Sequence, residues 1–165
     1  MTIIAFMIWL CLILVFVSSF VIAYQDFKTR LINIWWIVCF GIASISHYAL
    51  THSFGGLFEN IIFCFVYLLF SYLILHLFYF VKTKKFQKIL DSKIGWGDVF
   101  LVVLIGTCLS PLTMIYFFTF VFVVTLIFQL VFQKQSKNIA LGAMLVICYS
   151  IYIIIDVFRI IFEAP

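Results

Sequence analysis

The chain has 165 residues and a formal net charge of +4; it is 67% hydrophobic and only 10% charged, with 22 Phe, 7 Gly and 2 Pro. Soluble domains run at roughly 45–50% apolar and about 25% charged, so a water-soluble fold of this size cannot hide so much apolar surface. Disordered, collagen-like, coiled-coil and disulfide-scaffold chains are excluded by the same numbers, and the expected class is an all-α polytopic membrane protein.

A span needs about 20 apolar residues at about 1.5 Å each. The first run, Thr2 to Tyr24, lacks a basic n-region and exceeds a signal-peptide h-region, so it reads as a retained span. The second is Ile34 to Leu50 and the third Ile61 to Val81. The apolar stretch from Val99 to Phe132 would make a helix of about 51 Å, against a hydrocarbon core of about 30 Å. Ser110-Pro111 divides it, because proline removes a donor and disfavours helix at the residue before it. The predicted result is a short fourth span, Val99 to Leu109, and a full fifth, Leu112 to Phe132. The sixth runs from Ile139 to about Ile161. The expected architecture is a six-transmembrane-helix bundle forming one domain over residues 1–165, with no internal repeat.

Nine of the ten Lys and Arg fall in alternate loops. Lys28 and Arg30 lie in loop 1–2 (Gln25 to Asn33), five lysines between Lys82 and Lys93, and Lys134 and Lys137 in loop 5–6. The positive-inside rule puts these three loops in the cytoplasm and both termini outside. Placement of this kind marks topology rather than a nucleic-acid surface. The five Cys sit singly in apolar runs without a CxxC pair, and the three His have no metal-ligand spacing, so no metal or cofactor is expected.

Six acidic residues remain to be placed. Glu59 is assigned to an outer loop, Glu163 to the C-terminal end and Asp91 to the lysine-rich loop. Asp156 stands three residues before Arg159, the spacing of an intrahelical ion pair. Asp26 directly follows span one and Asp98 directly precedes span four, both at the cytoplasmic boundary. Ionisable residues at membrane depth are costly and mark function by default. Two carboxyls brought within a few ångströms cannot both ionise easily, so one keeps a proton. The charged one then draws a proton from water, and the protonated one donates to a substrate carbonyl oxygen. Position alone equally fits two polar helix-end residues.

The residues before Asp98 read Gly95-Trp96-Gly97-Asp98, or GWGD. Glycines on both sides of Trp96 permit φ > 0 and close approach of a substrate strand. With Asp26-Phe27-Lys28-Thr29-Arg30, a D-x-K-x-R stretch at the end of an early span, the chain resembles the GxGD membrane aspartyl proteases, specifically the type IV prepilin peptidases. The order of the motifs, the two spans between them and their side of the membrane match that family. The resemblance covers about Phe16 to Phe132. It implies an aspartic endopeptidase of the bacterial inner membrane with Asp26 and Asp98 catalytic and no cofactor. Gly95, Trp96, Gly97, Lys28 and Arg30 would be supporting residues. The implied substrate is a prepilin or pseudopilin entering from the bilayer, with a basic leader, a Gly before the scissile bond and a following apolar helix.

The chain departs from the family at three places. Ile32 stands where many members have proline, and Phe100 stands where many have Lys two residues after the GxGD Asp. Loop 1–2 is short and without Cys, where bifunctional members carry a methyltransferase-linked segment with paired CxxC motifs, so no such activity is expected. Among the remaining features, the Lys82 to Lys93 segment fits either an interfacial amphipathic helix or plain charge anchoring. Lys28 and Arg30 fit either neighbours of Asp26 or headgroup contacts. Trp96 fits either substrate stacking or the interfacial belt formed with Trp35 and Trp36. Two further function classes compete: a non-catalytic membrane subunit of a pilus or secretion assembly that keeps the fold, and a small transporter using Asp98 or Asp156. The transporter is disfavoured because spans two, three and five hold no acid or Arg and no broken helix pair.

Overall fold

The computed structural model describes residues 2–29, 31–52, 54–83, 95–132 and 140–163. The chain is an all-helical membrane bundle of α1 (Thr2–Thr29), α2 (Ile34–Thr51), α3 (Phe54–Thr83), α4 (Trp96–Thr107), α5 (Pro111–Phe132) and α6 (Leu141–Glu163). All but α4 are long and apolar enough to cross a membrane. The described surface confirms the solvent: large side chains such as Phe20, Phe58, Phe70 and Tyr116 project outward, where lipid rather than water accommodates them. The inward faces of α4 and α6 form the centre. α4 touches α2, α3 and α6, while α1 lies against α2 and α6. Phe40, Leu101, Ile105, Met114, Leu145 and Tyr149 are fully buried among them.

Hydropathy places the spans but not the helix ends. α1 has 28 residues, about 42 Å, and overshoots a core of about 30 Å. Its ladder runs through the mostly polar stretch Gln25 to Thr29, so Asp26 lies inside a helix rather than after one. The following turn is held without proline. Asn33 accepts from the Trp35 amide at 3.1 Å as the N-cap of α2, and its own amide donates to Gln25 Oε1 at 3.0 Å. α3 starts at Phe54, which moves Glu59 from the expected outer loop onto an exposed helical face. α4 starts at Trp96, so Asp98 falls within its first turn rather than before it. Pro111 begins α5, where its missing N–H costs nothing, and Ser110 accepts from the Met114 amide at 2.8 Å. Arg30, the loop segment 84–94 and residues 133–139 lie outside the described residues. Most of the Lys82 to Lys93 segment, read as either an interfacial amphipathic helix or plain charge anchoring, therefore lies outside them too.

α4 has 12 residues, about 18 Å, too short to span. Its C-terminal turn is therefore buried in the bundle, with Thr107, Cys108 and Leu109 all inaccessible. A carbonyl buried there needs a donor. Asn60 of α3 supplies it: Nδ2 donates to the Thr107 carbonyl at 3.3 Å and to the Tyr48 hydroxyl at 3.1 Å. Asn60→Leu, similar in volume but unable to donate, is expected to cost about 1–2 kcal/mol in a denaturant titration of the detergent-solubilised protein. The same packing makes Gly106 a close-approach point. A Cβ there would sit 2.5 Å from Cys64 Sγ and 3.1 Å from Met114 Sδ.

Candidate active site

Three helix ends meet at one end of the bundle. From α1, Asp26 is 5% exposed, and its Oδ2 accepts a hydrogen bond from the Ala143 amide at 2.8 Å. Ala143 is the third residue of α6, so its N–H has no partner inside the helix and is free for such a carboxylate. From α4, Asp98 is half-buried in the first turn. Asp98 lies in the first turn of α4 and Asp26 accepts from the first turn of α6, both positive helix ends, although Asp26 itself stands in the last turn of α1, the negative end of that helix.

The position that a Cβ of Gly142 would occupy measures how closely the two acids converge. Asp98 Oδ1 lies 3.0 Å from it and Asp26 Oδ2 3.3 Å. The sum of these two distances sets an upper limit of about 6.3 Å on the separation of the oxygens. A single water hydrogen-bonded to both spans up to about 5.6 Å, which falls within that limit. Ile32 Cδ1 lies 2.7 Å from the same position and 3.6 Å from a Cβ placed on Gly97, so the Ile32 side chain covers the site between two glycines.

The other predicted residues divide. Gly95 is the N-cap of α4 with φ −72 and ψ 143, and Gly97 is helical, so neither uses a left-handed conformation. Among the described residues, a Cβ on Gly95 would meet Asp98 Oδ2, at 3.5 Å, and one on Gly97 would make ordinary contacts with Ile32 and Ile37, at 3.6–3.8 Å. Trp96 is exposed and lies tilted against Phe100, with ring centroids 6.4 Å apart. Lys28 turns away from the buried Asp26. Its Nζ donates to the exposed Tyr24 hydroxyl at 3.0 Å and stands 5.3 Å from that ring's centroid. Arg30 lies outside the described residues. Far from the dyad on α6, Asp156 is half-buried and Arg159 exposed, one turn apart. Among the described residues, no three His, Cys, Asp or Glu side chains come together as metal ligands.

Sequence reasoning gave Gly142 and Ala143 no role and read Ile32 only as a departure from proline. The small residues Ala140, Gly142 and Ala143 at the start of span six were the available signal, since such residues let backbones approach closely. No protein-family model matches the chain, and no curated protein or solved structure matches it.

Proposed function

We propose that this protein is a membrane aspartyl endopeptidase of the prepilin-peptidase type, cleaving the leaders of prepilin-like substrates at the cytoplasmic face of a bacterial inner membrane. The observation that carries the reading is the approach of Asp26 and Asp98, from different helices, to one point beside Gly142. The ionised carboxylate takes a proton from water as the water oxygen bonds to the scissile carbonyl carbon. The protonated carboxyl gives its proton to the carbonyl oxygen. Collapse of the tetrahedral intermediate breaks the C–N bond, with a proton passing to the leaving amine. The exposed Gly95 beside Asp98 offers room for an extended substrate strand. The direct test coexpresses the protein with a prepilin-like reporter, which should shift to a shorter form.

The orientation rests on the charged loops. Reporter fusions at Gly55 and Lys84 should report opposite sides of the membrane, Lys84 cytoplasmic, and fusions reporting one side would remove the substrate face from the proposal.

One contact favours a second reading. The Ala143–Asp26 hydrogen bond gives Asp26 a purely structural task, the capping of α6. That suits a non-catalytic assembly subunit that keeps the fold. An intact wild type that cuts no leader would favour it.

A further inference from the structure

The two sequence motifs supply two acids but nothing that fixes their spacing. We infer that the start of α6, Gly142 together with the Ala143 amide, is the positioning element of the acid pair. The inference rests on the peptidase reading for its catalytic consequence, though not for its geometry. Asp26 arrives on α1 and Asp98 on α4, and the start of α6 lies against both carboxyls, through the Ala143 amide and the Cβ position of Gly142. The amide fixes Asp26. The missing side chain at Gly142 makes the space in which Asp98 comes up beside it.

That Gly142 is glycine for space, and not for backbone freedom, follows from its surroundings. It sits in the first turn of a regular helix with no positive φ, yet a Cβ there would crowd Ile32, Asp98 and Asp26 together. Gly55, also near a helix start, has nothing within 4 Å of its Cβ position. The carbon an alanine adds at 142 presses on both carboxyls, 3.0 Å from Asp98 Oδ1 and 3.3 Å from Asp26 Oδ2, so each must shift by a few tenths of an ångström to keep ordinary contact. The third neighbour, the Ile32 side-chain tip, is flexible and can yield.

Substitutions at two positions test the positioning role. Ala143→Pro removes the N–H and sets its ring carbon against Asp26 Oδ2, so it both breaks the bond and displaces the carboxyl, whereas Ala143→Ser keeps the amide and serves as the conservative control. Gly142→Ala adds the single carbon, and Gly142→Ala with Ile32→Ala removes the aliphatic part of the resulting crowding. In proteoliposomes with a prepilin-like reporter, Ala143→Pro should lower kcat by about 10–100-fold with KM held within about twofold. Ala143→Ser, which keeps the amide, should lose far less kcat than Ala143→Pro. Gly142→Ala should lose kcat in the same way, and Ile32→Ala should not restore it.

A second readout needs no cleavage. A hydrophobic carbodiimide, read by peptide mass spectrometry, should label half-buried Asp98 ahead of Asp26 in the wild type, and Ala143→Pro should raise labelling of Asp26 several-fold. Unchanged labelling in Ala143→Pro, or full recovery of Gly142→Ala by Ile32→Ala, overturns the inference. A wild type that cuts no reporter but shows the labelling change overturns the peptidase reading alone.

Discussion

Asp26→Asn and Asp98→Asn are each expected to abolish processing of a coexpressed prepilin-like reporter, by about 10³-fold or more, while leaving the protein inserted and folded. The substitution is chosen because an asparagine retains the shape of the carboxylate and one acceptor oxygen. In Asp26→Asn that oxygen still receives the Ala143 amide, so the cap on α6 survives while the acid–base chemistry is removed. This separates the two readings of Asp26. A structural cap tolerates Asn, and a proton-transfer group does not. The double variant should be no worse than either single one, because groups acting as one unit are strongly non-additive. Cleavage persisting in either single variant excludes a two-acid mechanism.

The second large effect lies away from the acids. Gly106→Ala is expected to cost about 1–3 kcal/mol of stability, and Gly106→Leu to prevent recovery of folded protein. Gly106 sits where α4 passes between Cys64 of α3 and Met114 of α5, and the Cys64 sulfur is the nearest obstacle to a new Cβ. Cys64 is 1% exposed, so it cannot swing outward to make room. Cys64→Ala removes the sulfur, so Cys64→Ala with Gly106→Ala should be more stable than the sum of the two single changes predicts. Simple additivity in a denaturation series would show that the two positions are independent. Because α4 carries Asp98 at its other end, Gly106→Ala should also reduce reporter cleavage, by displacing the helix rather than by touching the acid.

Much of the fold was legible because lipid imposes a simple rule, that apolar runs of sufficient length span. Ser110-Pro111 was readable as a break for a local backbone reason, and α5 does begin at Pro111. The helix ends were less readable, since hydropathy reports what the side chains touch and not where the backbone ladder stops. Gln25, Asp26, Lys28 and Thr29 are polar yet helical, with the Thr29 hydroxyl donating to the Gln25 carbonyl at 2.9 Å. Glu59 was misplaced for the same reason. At the site, Asp26 and Asp98 could be picked out from charge at membrane depth and from GWGD. Their neighbour could not, because the Ala143–Asp26 hydrogen bond joins residues 117 apart and one partner is a backbone amide, which leaves no side-chain signature. The turn after α1 illustrates substitution of one device for another. Asn33 and Gln25 hold with side-chain amides what a proline would hold by ring closure.

The hydrogen bond between the first helix and the last also sets an order of events during synthesis. Asp26 leaves the ribosome early, and its amide partner is among the later residues translated. Until α6 has inserted and docked in register, Asp26 lacks the group that fixes it. A slip of one turn along α6 moves Ala143 by about 5.4 Å, out of bonding range. A nascent chain halted before Leu141 would hold both acids yet lack the contact that aligns them.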